Sequence, residues 1–186
     1  MIVAHADDEC IFAGDLVLSN SKSNINWDIV CCVVPDSQSK FRIKMFLSDL
    51  PEYIPGTNTF MLNNKDTGFK GSIINKDRLY EDIKTKLKER EWLKIYTHGE
   101  KGEYGHVHHI EVHELVVKAC HELKLIDKLY VFNPKKQENA FISKEKDLLF
   151  TNTYDKEDEL PKNHPRKWVR GWNTKQGWVE GFKKWT

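Results

Sequence analysis

Residues 27–34 read Trp-Asp-Ile-Val-Cys-Cys-Val-Val, a nearly continuous apolar run of strand length. Such a run is typical of a strand that other elements cover on both faces, as in a parallel sheet. Shorter segments with strand character lie on either side of it in the chain, at 1–4, 57–62, 92–96 and 128–132. We therefore expect a buried sheet built from several short strands.

Helical periodicity separates these strands. Between 41 and 50 the apolar residues recur at the i, i+3, i+4, i+7 spacing of a helix, and we expect Pro51 to end it. Two further helices are expected at 76–91, where Asn75 can cap the first turn, and at 109–123. Strands that alternate with helices in this way predict an α/β fold with a three-layer, mostly parallel, Rossmann-like sheet and helices on both faces.

The length and composition suit one domain. A chain of 186 residues buries roughly 70% of the surface that its unfolded form exposes, so its folding requires neither disulfides nor a structural metal. Lys and Arg number 29 against 28 Asp and Glu, a formal net charge of +1 that argues against a nucleic-acid partner. No apolar run approaches the ~20 residues of a membrane span, and acidic residues as early as Asp7 are untypical of a leader peptide.

The cysteine pattern favours a cytoplasmic protein. The four cysteines have no CxxC spacing, and three of them lie among apolar neighbours. Free cysteine behaves as a small apolar side chain. We therefore expect reduced thiols in the core, as in proteins of a reducing compartment.

The carboxyl-terminal segment, about 161–186, differs from the rest of the single domain 1–186. It carries seven Lys and Arg against one acid, Glu180, and four of the six tryptophans. One interpretation is a basic, aromatic surface for a sugar, a phosphate or a lipid head group. We favour packing, because Trp178, Phe182 and Trp185 have the spacing of a terminal helix that packs onto the domain.

Two polar clusters follow predicted strands. The first is Ala-His-Ala-Asp-Asp-Glu at 4–9, and the second is Thr-His-Gly-Glu-Lys-Gly-Glu-Tyr-Gly-His-Val-His-His at 97–109. Five of the eight histidines lie between 98 and 113. In open α/β sheets ligands bind beyond the carboxyl ends of the strands, which is where both clusters lie.

The residue types in these clusters suit a zinc site. Imidazole nitrogen and carboxylate oxygen both ligate Zn²⁺, and a catalytic site combines three protein ligands with one open position. His5 and Asp8 can supply two ligands from one tight loop. If a helix begins near His106, then His106, His109 and His113 share one face, and one or two of them can reach the same ion. Asp7 and His106 then remain for proton transfer.

The paired motifs, AHADDE at 4–9 and GEYGHxxH at 102–109, resemble the signature of the PIG-L/LmbE-like de-N-acetylases. The layout is similar over about residues 1–133. The resemblance implies a metal-dependent hydrolase that uses metal-activated water to remove acetyl groups from N-acetylglucosamine-type sugars or sugar conjugates. It implies Zn²⁺ as the cofactor, with Fe²⁺ as the alternative.

The resemblance also implies a role for individual residues. It makes His5, Asp8 and His109 the metal ligands and Asp7 the general base. His106 would act as the general acid or stabilise the oxyanion, and Tyr104 would donate to the scissile carbonyl oxygen. Arg42 and Asp66 would contact substrate, and Glu9 would hold the first loop.

Two departures from the family pattern affect the chemistry. Ala6 replaces the usual proline, and His108 stands where the family has an aspartate. That aspartate would raise the pKa of His106, so we expect His106 to be protonated less readily here. Two alternatives stay open: a metal-dependent hydrolase of another amide or ester, and a degenerate deacetylase that binds a sugar or anion without turnover. The oligomeric state is not predicted.

Overall fold

The computed structural model of the protein describes residues 1–21, 23, 25–34, 40–136 and 178–186. In these ranges the strands are β1 (Ile2–Val3), β2 (Trp27–Val34), β3 (Thr57–Lys65), β4 (Ile95–Thr97), β5 (Leu129–Phe132), β6 (Lys135–Lys136), β7 (Trp178–Val179) and β8 (Phe182–Lys184). The helices are α1 (Asp8–Ser21), α2 (Lys40–Lys44), α3 (Leu50–Tyr53), α4 (Lys76–Lys88), α5 (Gly102–Gly105) and α6 (Val107–Glu122). None of the helices in these ranges is long and apolar enough to cross a bilayer.

The strands pair mostly in parallel. β1, β2 and β3 form one parallel sheet, in which Ile2 lies opposite Val30. In a second sheet β5 pairs in parallel with β4, with Ile95 opposite Leu129, and antiparallel with β8. β6 and β7 form a short antiparallel ribbon. The predicted α/β fold with a mostly parallel sheet is confirmed.

The two sheets meet where β1 lies beside β4. The Thr97 hydroxyl donates to the Ile2 carbonyl at 2.9 Å, and the Ala4 N–H donates to His98 Nε2 at 2.9 Å. The strands β2 and β3 lie on one side of this junction, and β5 lies on the other. A reversal of strand order of this kind opens a crevice at the carboxyl ends of the strands. The loops that follow β1 and β4 therefore meet at the junction.

Alternate residues of the strands pack into two separate cores. Ile29 and Cys31 belong to the first core, which α1 covers. Val30 and Cys32, which point to the opposite face, belong to the second core, which α4 and α6 cover. This division explains the continuous apolar run of β2, because a strand covered on both faces has no polar side. All four cysteines are buried and free, as the sequence predicts.

The helix predicted at 41–50 differs from the prediction at its carboxyl end. Pro51 does not end it: α2 passes through a π-helical turn, Met45–Asp49, into α3, and Pro51 lies in the first turn of α3. Proline is accommodated inside this continuous helical run because the wider π-turn before it, in which the Leu50 N–H donates to the Met45 carbonyl, already interrupts the regular α-helical hydrogen bonds. The expectation of a stop at Pro51 is wrong for this reason.

The helix α1 has no counterpart in the sequence prediction. Its apolar residues Cys10, Ile11, Phe12 and Ala13 are consecutive, so they show no helical period. Its backbone is also interrupted at Ala13, where φ is −146°. An amphipathic pattern cannot reveal a helix of this kind.

The predicted terminal helix is wrong. Phe182 lies in β8, opposite Phe132 of β5, and the preceding residue is Gly181. Gly181 lies so close to the Asn133 carbonyl oxygen that a Cβ there would be 2.4 Å from it. The packing role holds for the described part of the segment, since Phe182 packs on the first core and Trp185 on the second. Residues 161–177, with Trp168 and Trp172, lie outside the described residues.

Candidate active site

A cavity of about 210 Å³ opens at the junction of β1 and β4. Of the nine side chains to which the sequence assigns a role, seven line it, and the other two, His109 and Glu9, are buried. The seven are His5, Asp7, Asp8, Arg42, Asp66, Tyr104 and His106. Two loops, separated by about a hundred residues in the chain, therefore converge on one cavity.

The first loop joins β1 to α1. The His5 N–H donates to Asp8 Oδ2 at 2.7 Å, and the Asp7 N–H donates to Glu9 Oε2 at 3.1 Å. Asp8 and Glu9 lie in the first turn of α1, where the helix dipole favours negative charge. Asp7 has a φ of 127°, a backbone conformation that favours glycine. Because non-glycine residues with such a backbone concentrate at functional sites, the strain at Asp7 is itself a sign of function.

The second loop joins β4 to α6. Gly102 has a φ of 61°, and a Cβ there would lie 2.9 Å from Ile110 Cγ1, so only glycine fits. Glu103 follows with a φ of 55°. His106 caps α6, because its Nδ1 accepts from the His108 N–H at 3.2 Å. The second loop thus places His109 in the first turn of α6, facing the first loop.

Three of the predicted residues bring their donor atoms together. His5 Nδ1 lies 3.2 Å from His109 Nε2 and 3.4 Å from Asp8 Oδ2, and His109 Nε2 lies 3.5 Å from Asp8 Oδ1. The three side chains are buried. Two nitrogens and a carboxylate at this separation form a set that can hold a metal ion.

The hydrogen bond between Glu103 and His109 leaves one nitrogen of the His109 ring available to bind a cation. Glu103 Oε2 lies 2.7 Å from His109 Nδ1, and a carboxylate only accepts. The neutral His109 ring therefore donates from Nδ1 and keeps a lone pair on Nε2. That lone pair faces the Asp8 carboxylate, which is also an acceptor. A divalent metal ion can bind this lone pair and the Asp8 carboxylate together, so the donor set fits such an ion.

Glu103 also bonds the second loop to β4. It accepts from His98 Nδ1 at 2.9 Å and, through Oε1, from the Gly99 N–H at 2.7 Å. Burial alone would raise the pKa of Glu103, but the rings of His98 and His109 lower it to about 2. Sequence reasoning missed the roles of Glu103 and His98, although Glu103 lies within the quoted motif. The distance of six residues from His109 gives no sign that the two side chains meet.

Asp7 has a different environment. Burial raises the pKa of Asp7 to about 6, and the adjacent Asp8 carboxylate acts in the same direction. The Arg42 guanidinium forms an ion pair with Asp7 Oδ2 and also donates to the Ala6 carbonyl at 2.6 Å. Arg42 thus lines the cavity and contacts Asp7 and Ala6 of the first loop, while its contact with substrate stays a prediction.

His106 and Tyr104 also line the cavity. Burial and the neighbouring imidazoles of His5 and His109 lower the pKa of His106 to about 3. Burial and the nearby carboxylates raise the pKa of Tyr104, so its hydroxyl keeps its proton. The Tyr104 ring stacks on Phe69, with 5.8 Å between the centroids and an angle of 12° between the planes. Phe69 is 47% exposed and forms an apolar rim beside the reactive groups.

The other predicted residues divide between the cavity and the core. Asp66 lies at the cavity and accepts from the Gly68 N–H at 2.7 Å. His113 shares the helix of His109 but lies outside the donor set; its Nδ1 is 2.8 Å from the His98 carbonyl oxygen, and its ring packs edge-on against Trp185. Within the described residues, two further groups have metal-binding spacing: His5 with His106 and His108, and His98 with Glu103 and His109.

Comparison with known sequences identifies the family. The sequence profile described as PIG-L, GlcNAc-PI de-N-acetylase, matches residues 1–120, a range that contains both loops. An uncharacterized protein of Acanthamoeba polyphaga mimivirus is 25% identical over 127 residues, which are 62% of this chain and 55% of the viral protein. The chain therefore spans about half the length of the curated relative that it matches.

Comparison with solved structures supports the fold. The N,N'-diacetylchitobiose deacetylase from Pyrococcus horikoshii has a TM-score of 0.70 at 15% identity, over 98% of this chain and 81% of that one. A deacetylase of the teicoplanin biosynthesis pathway, bound to teicoplanin, has a TM-score of 0.60 at 10% identity, over 83% of this chain and 84% of that one. The 4-carboxy-2-hydroxymuconate hydratase GalB from Pseudomonas putida has a TM-score of 0.60 at 14% identity, over 84% of this chain and 79% of that one. At these identities the likeness shows the fold alone, and that fold serves more than one reaction.

Proposed function

Because the chain belongs to the PIG-L, GlcNAc-PI de-N-acetylase family, we propose that it is a metal-dependent hydrolase that removes the acetyl group from an N-acetylglucosamine-type sugar. One observation carries the proposal: His5, Asp8 and His109 bring two nitrogens and a carboxylate close enough together to bind one metal ion. These three residues would hold Zn²⁺, or Fe²⁺ as the alternative, since imidazole and carboxylate suit both. The buried free thiols support a cytoplasmic location.

Asp7 is the proposed general base. When bound, the ion would polarise the acetamide carbonyl and lower the pKa of water. A base is most effective when its pKa lies near the working pH, and in the metal-free protein burial raises the pKa of Asp7 to about 6. Arg42 holds the carboxylate of Asp7 in place through their ion pair. Asp7 would take a proton from water and return it to the departing sugar nitrogen.

His106 and Tyr104 are the proposed donors to the oxyanion. With a pKa of about 3 the His106 ring is neutral near pH 7. Because its Nδ1 accepts from the His108 N–H, its proton resides on Nε2. A neutral ring of this kind donates a hydrogen bond more readily than it gives up a proton. We therefore assign oxyanion stabilisation to His106, with Tyr104 as a second donor, and leave the acid step to Asp7.

The cavity suits the acetylated end of a sugar. Its volume of about 210 Å³ is below the roughly 300 Å³ at which pockets for drug-sized ligands begin, which favours a single sugar ring near the metal. The exposed face of Phe69 can pack against the apolar face of that ring. Asp66 and Arg42, which also line the cavity, are the proposed partners of the sugar hydroxyls.

The proposal is tested by measuring acetate release from the Zn²⁺-loaded protein. The substrates are N-acetylglucosamine, N,N'-diacetylchitobiose and a simple N-acetylated amino acid. We expect acetate from a sugar substrate, and a loss of roughly 10²- to 10⁴-fold in Asp7→Asn, the range that a positioned base contributes. Metal content should be unchanged in this variant, because Asp7 is not among the ligands.

Two results would contradict the proposal. Hydrolysis of the acetylated amino acid alone would favour the hydrolase of another amide. Full metal occupancy without acetate release from any substrate would favour a protein that binds sugars or anions without turnover. Hydrolysis by Asp7→Asn at the rate of the unmodified protein would remove Asp7 from the mechanism.

A further inference from the structure

We propose that Thr67 and His108 form a hydrogen-bonded relay that holds the His5 ring in the tautomer whose Nδ1 lone pair faces Asp8 and His109. His108 and Thr67 are positioning residues in this inference, and neither touches the reacting atoms. The inference rests on the proposed function only in taking His5, Asp8 and His109 as ligands of the ion.

The relay starts at Thr67. Its Oγ1 lies 3.0 Å from the Ser72 carbonyl oxygen and 2.7 Å from His108 Nε2. A carbonyl can only accept, so the single hydroxyl proton of Thr67 points to Ser72. The hydroxyl oxygen must then accept from His108, which means that the proton of a neutral His108 ring resides on Nε2.

The direction of this bond fixes the next one. A neutral His108 with its proton on Nε2 has a lone pair on Nδ1, which lies 3.0 Å from His5 Nε2. His5 therefore donates from Nε2 and keeps its lone pair on Nδ1. That lone pair lies 3.2 Å from His109 Nε2 and 3.4 Å from Asp8 Oδ2. The relay thus gives His5 the one tautomer that can ligate an ion at this position.

The surroundings keep the relay rigid. The His108 ring is fully buried. The turn that carries Thr67 is closed by a bond from the Gly71 N–H to the Gly68 carbonyl at 3.0 Å. Next to it, the Ile73 N–H donates to Glu111 Oε2 of α6 at 2.7 Å, so the turn and the helix that bears His108 are tied together. Partners of metal-bound histidines in this second layer typically change metal affinity by about 10- to 100-fold.

The histidine at position 108 also has a second interpretation, as a ligand in its own right. His5, His106 and His108 have metal-binding spacing. However, the hydrogen-bond directions place a proton between His5 Nε2 and His108 Nδ1. A second ion would have to displace that proton, whereas the site of His5, Asp8 and His109 has no proton to displace. The geometry therefore favours the relay.

The test compares Thr67→Val with Thr67→Ser. Valine has the shape of threonine but accepts no hydrogen bond, whereas serine keeps the hydroxyl. In Thr67→Val the proton of His108 can move to Nδ1, His5 is then driven into the opposite tautomer, and Zn²⁺ affinity should fall roughly 10- to 100-fold. Thr67→Ser should bind as tightly as the unmodified protein. Affinity is measured by competition with a chromophoric chelator, so the readout does not depend on deacetylase activity.

A second measurement uses the metal-free protein. Long-range ¹⁵N–¹H spectra should show both His5 and His108 protonated on Nε2, in the unmodified protein and in Thr67→Ser. Equal Zn²⁺ affinity in the two Thr67 variants, or a proton on His5 Nδ1 in the unmodified protein, would overturn the relay. So would a second equivalent of Zn²⁺ that is lost in His108→Phe. If acetate release fails while Thr67→Val still weakens Zn²⁺ binding, the relay stands and the proposed function does not.

Discussion

Asp7 and Glu103 each lie in one of the two loops, but their pKa values are shifted in opposite directions. Each is a buried carboxylate that follows a strand, and each has a positive φ, 127° and 55°. Yet the pKa of Asp7 is raised to about 6 and that of Glu103 is lowered to about 2. The difference lies in their partners: Asp7 has one cation and the Asp8 carboxylate beside it, whereas Glu103 accepts three N–H bonds.

The comparison shows how the same chemical group, a carboxylate, serves two purposes. A carboxylate whose charge is poorly compensated exchanges protons near neutral pH, and one with several donors remains a fixed anion. Asp7 is therefore suited to proton transfer, and Glu103 is suited to orienting the imidazole of His109. Strain of this kind costs of order 1–3 kcal/mol per residue, and both loops tolerate it because the surrounding hydrogen bonds hold them.

The largest expected effect comes from removing the side chain that joins the two loops. His109→Ala deletes a proposed ligand and also removes a donor from Glu103. We expect the purified variant to contain no stoichiometric metal by elemental analysis, because two ligands do not retain an ion that three would hold. His121→Ala is the matched control, since His121 lies exposed in the last turn of the same helix. Unchanged metal content in His109→Ala would refute the ligand assignment.

The sequence predicts the part of the site that depends on residue type. Carboxylates and imidazoles that follow apolar strands meet at one edge of a parallel sheet, so the sequence brings His5 and Asp8 near the histidines at 106, 109 and 113. The choice of His109 among these histidines comes from the family resemblance. The strand β2 can also be predicted, because a continuous apolar run of this length is typical of a strand that is covered on both faces.

The remaining features depend on tertiary contacts that the sequence does not record. Glu103 and Thr67 act through the direction of single hydrogen bonds to histidine rings, and no spacing rule relates them to those rings. The prediction of a helix in the carboxyl-terminal segment is wrong for a different reason. Trp178, Phe182 and Trp185 have helical spacing, but β5 offers a free edge with which Phe182–Lys184 pairs as a strand. Tertiary pairing overrides local periodicity here.

The next largest effect is a change in the free energy of unfolding, which we expect to have opposite signs in variants of Asp7 and of Glu103. In the metal-free protein at pH 7, the ionised Asp7 destabilises the fold because its pKa is raised from 3.8 to about 6. Asp7→Asn should therefore raise the free energy of unfolding. Glu103 stabilises the fold because its pKa is lowered from 4.5 to about 2, so Glu103→Gln should lower that free energy. Each change is at most about 3 kcal/mol, from 1.36 kcal/mol per pKa unit.

The pH dependence gives the same comparison a second readout. The stabilisation by Glu103 is complete above its unfolded pKa and is lost as pH falls from about 4.5 towards 2. The penalty from Asp7 is complete above about pH 6 and disappears as pH falls towards 3.8. Urea unfolding at pH 7 and pH 3.5 measures both. Changes of the same sign at pH 7 would show that the two environments do not differ as described.

The smallest effect concerns a third carboxylate, Glu180, which resembles Glu103 in accepting N–H bonds but is not among the residues that line the cavity. At the interruption of α1 near Ala13, the N–H groups of Asp15 and Leu16 donate to Glu180 at 3.0 and 3.4 Å. This arrangement is similar to a helix cap, so Glu180→Ala should lower the free energy of unfolding by about 1 kcal/mol.

The matched variants for Glu180 test whether its role is structural alone. Glu180→Gln keeps an acceptor oxygen and should cost less than Glu180→Ala. Glu114→Ala, at an exposed position of α6, should change the free energy of unfolding by less than about 0.5 kcal/mol. Zn²⁺ affinity should be the same in all three, because none of these side chains reaches the donor set. A loss of Zn²⁺ affinity in Glu180→Ala would instead mean that the carboxyl-terminal segment shapes the first loop through α1, which begins at Asp8.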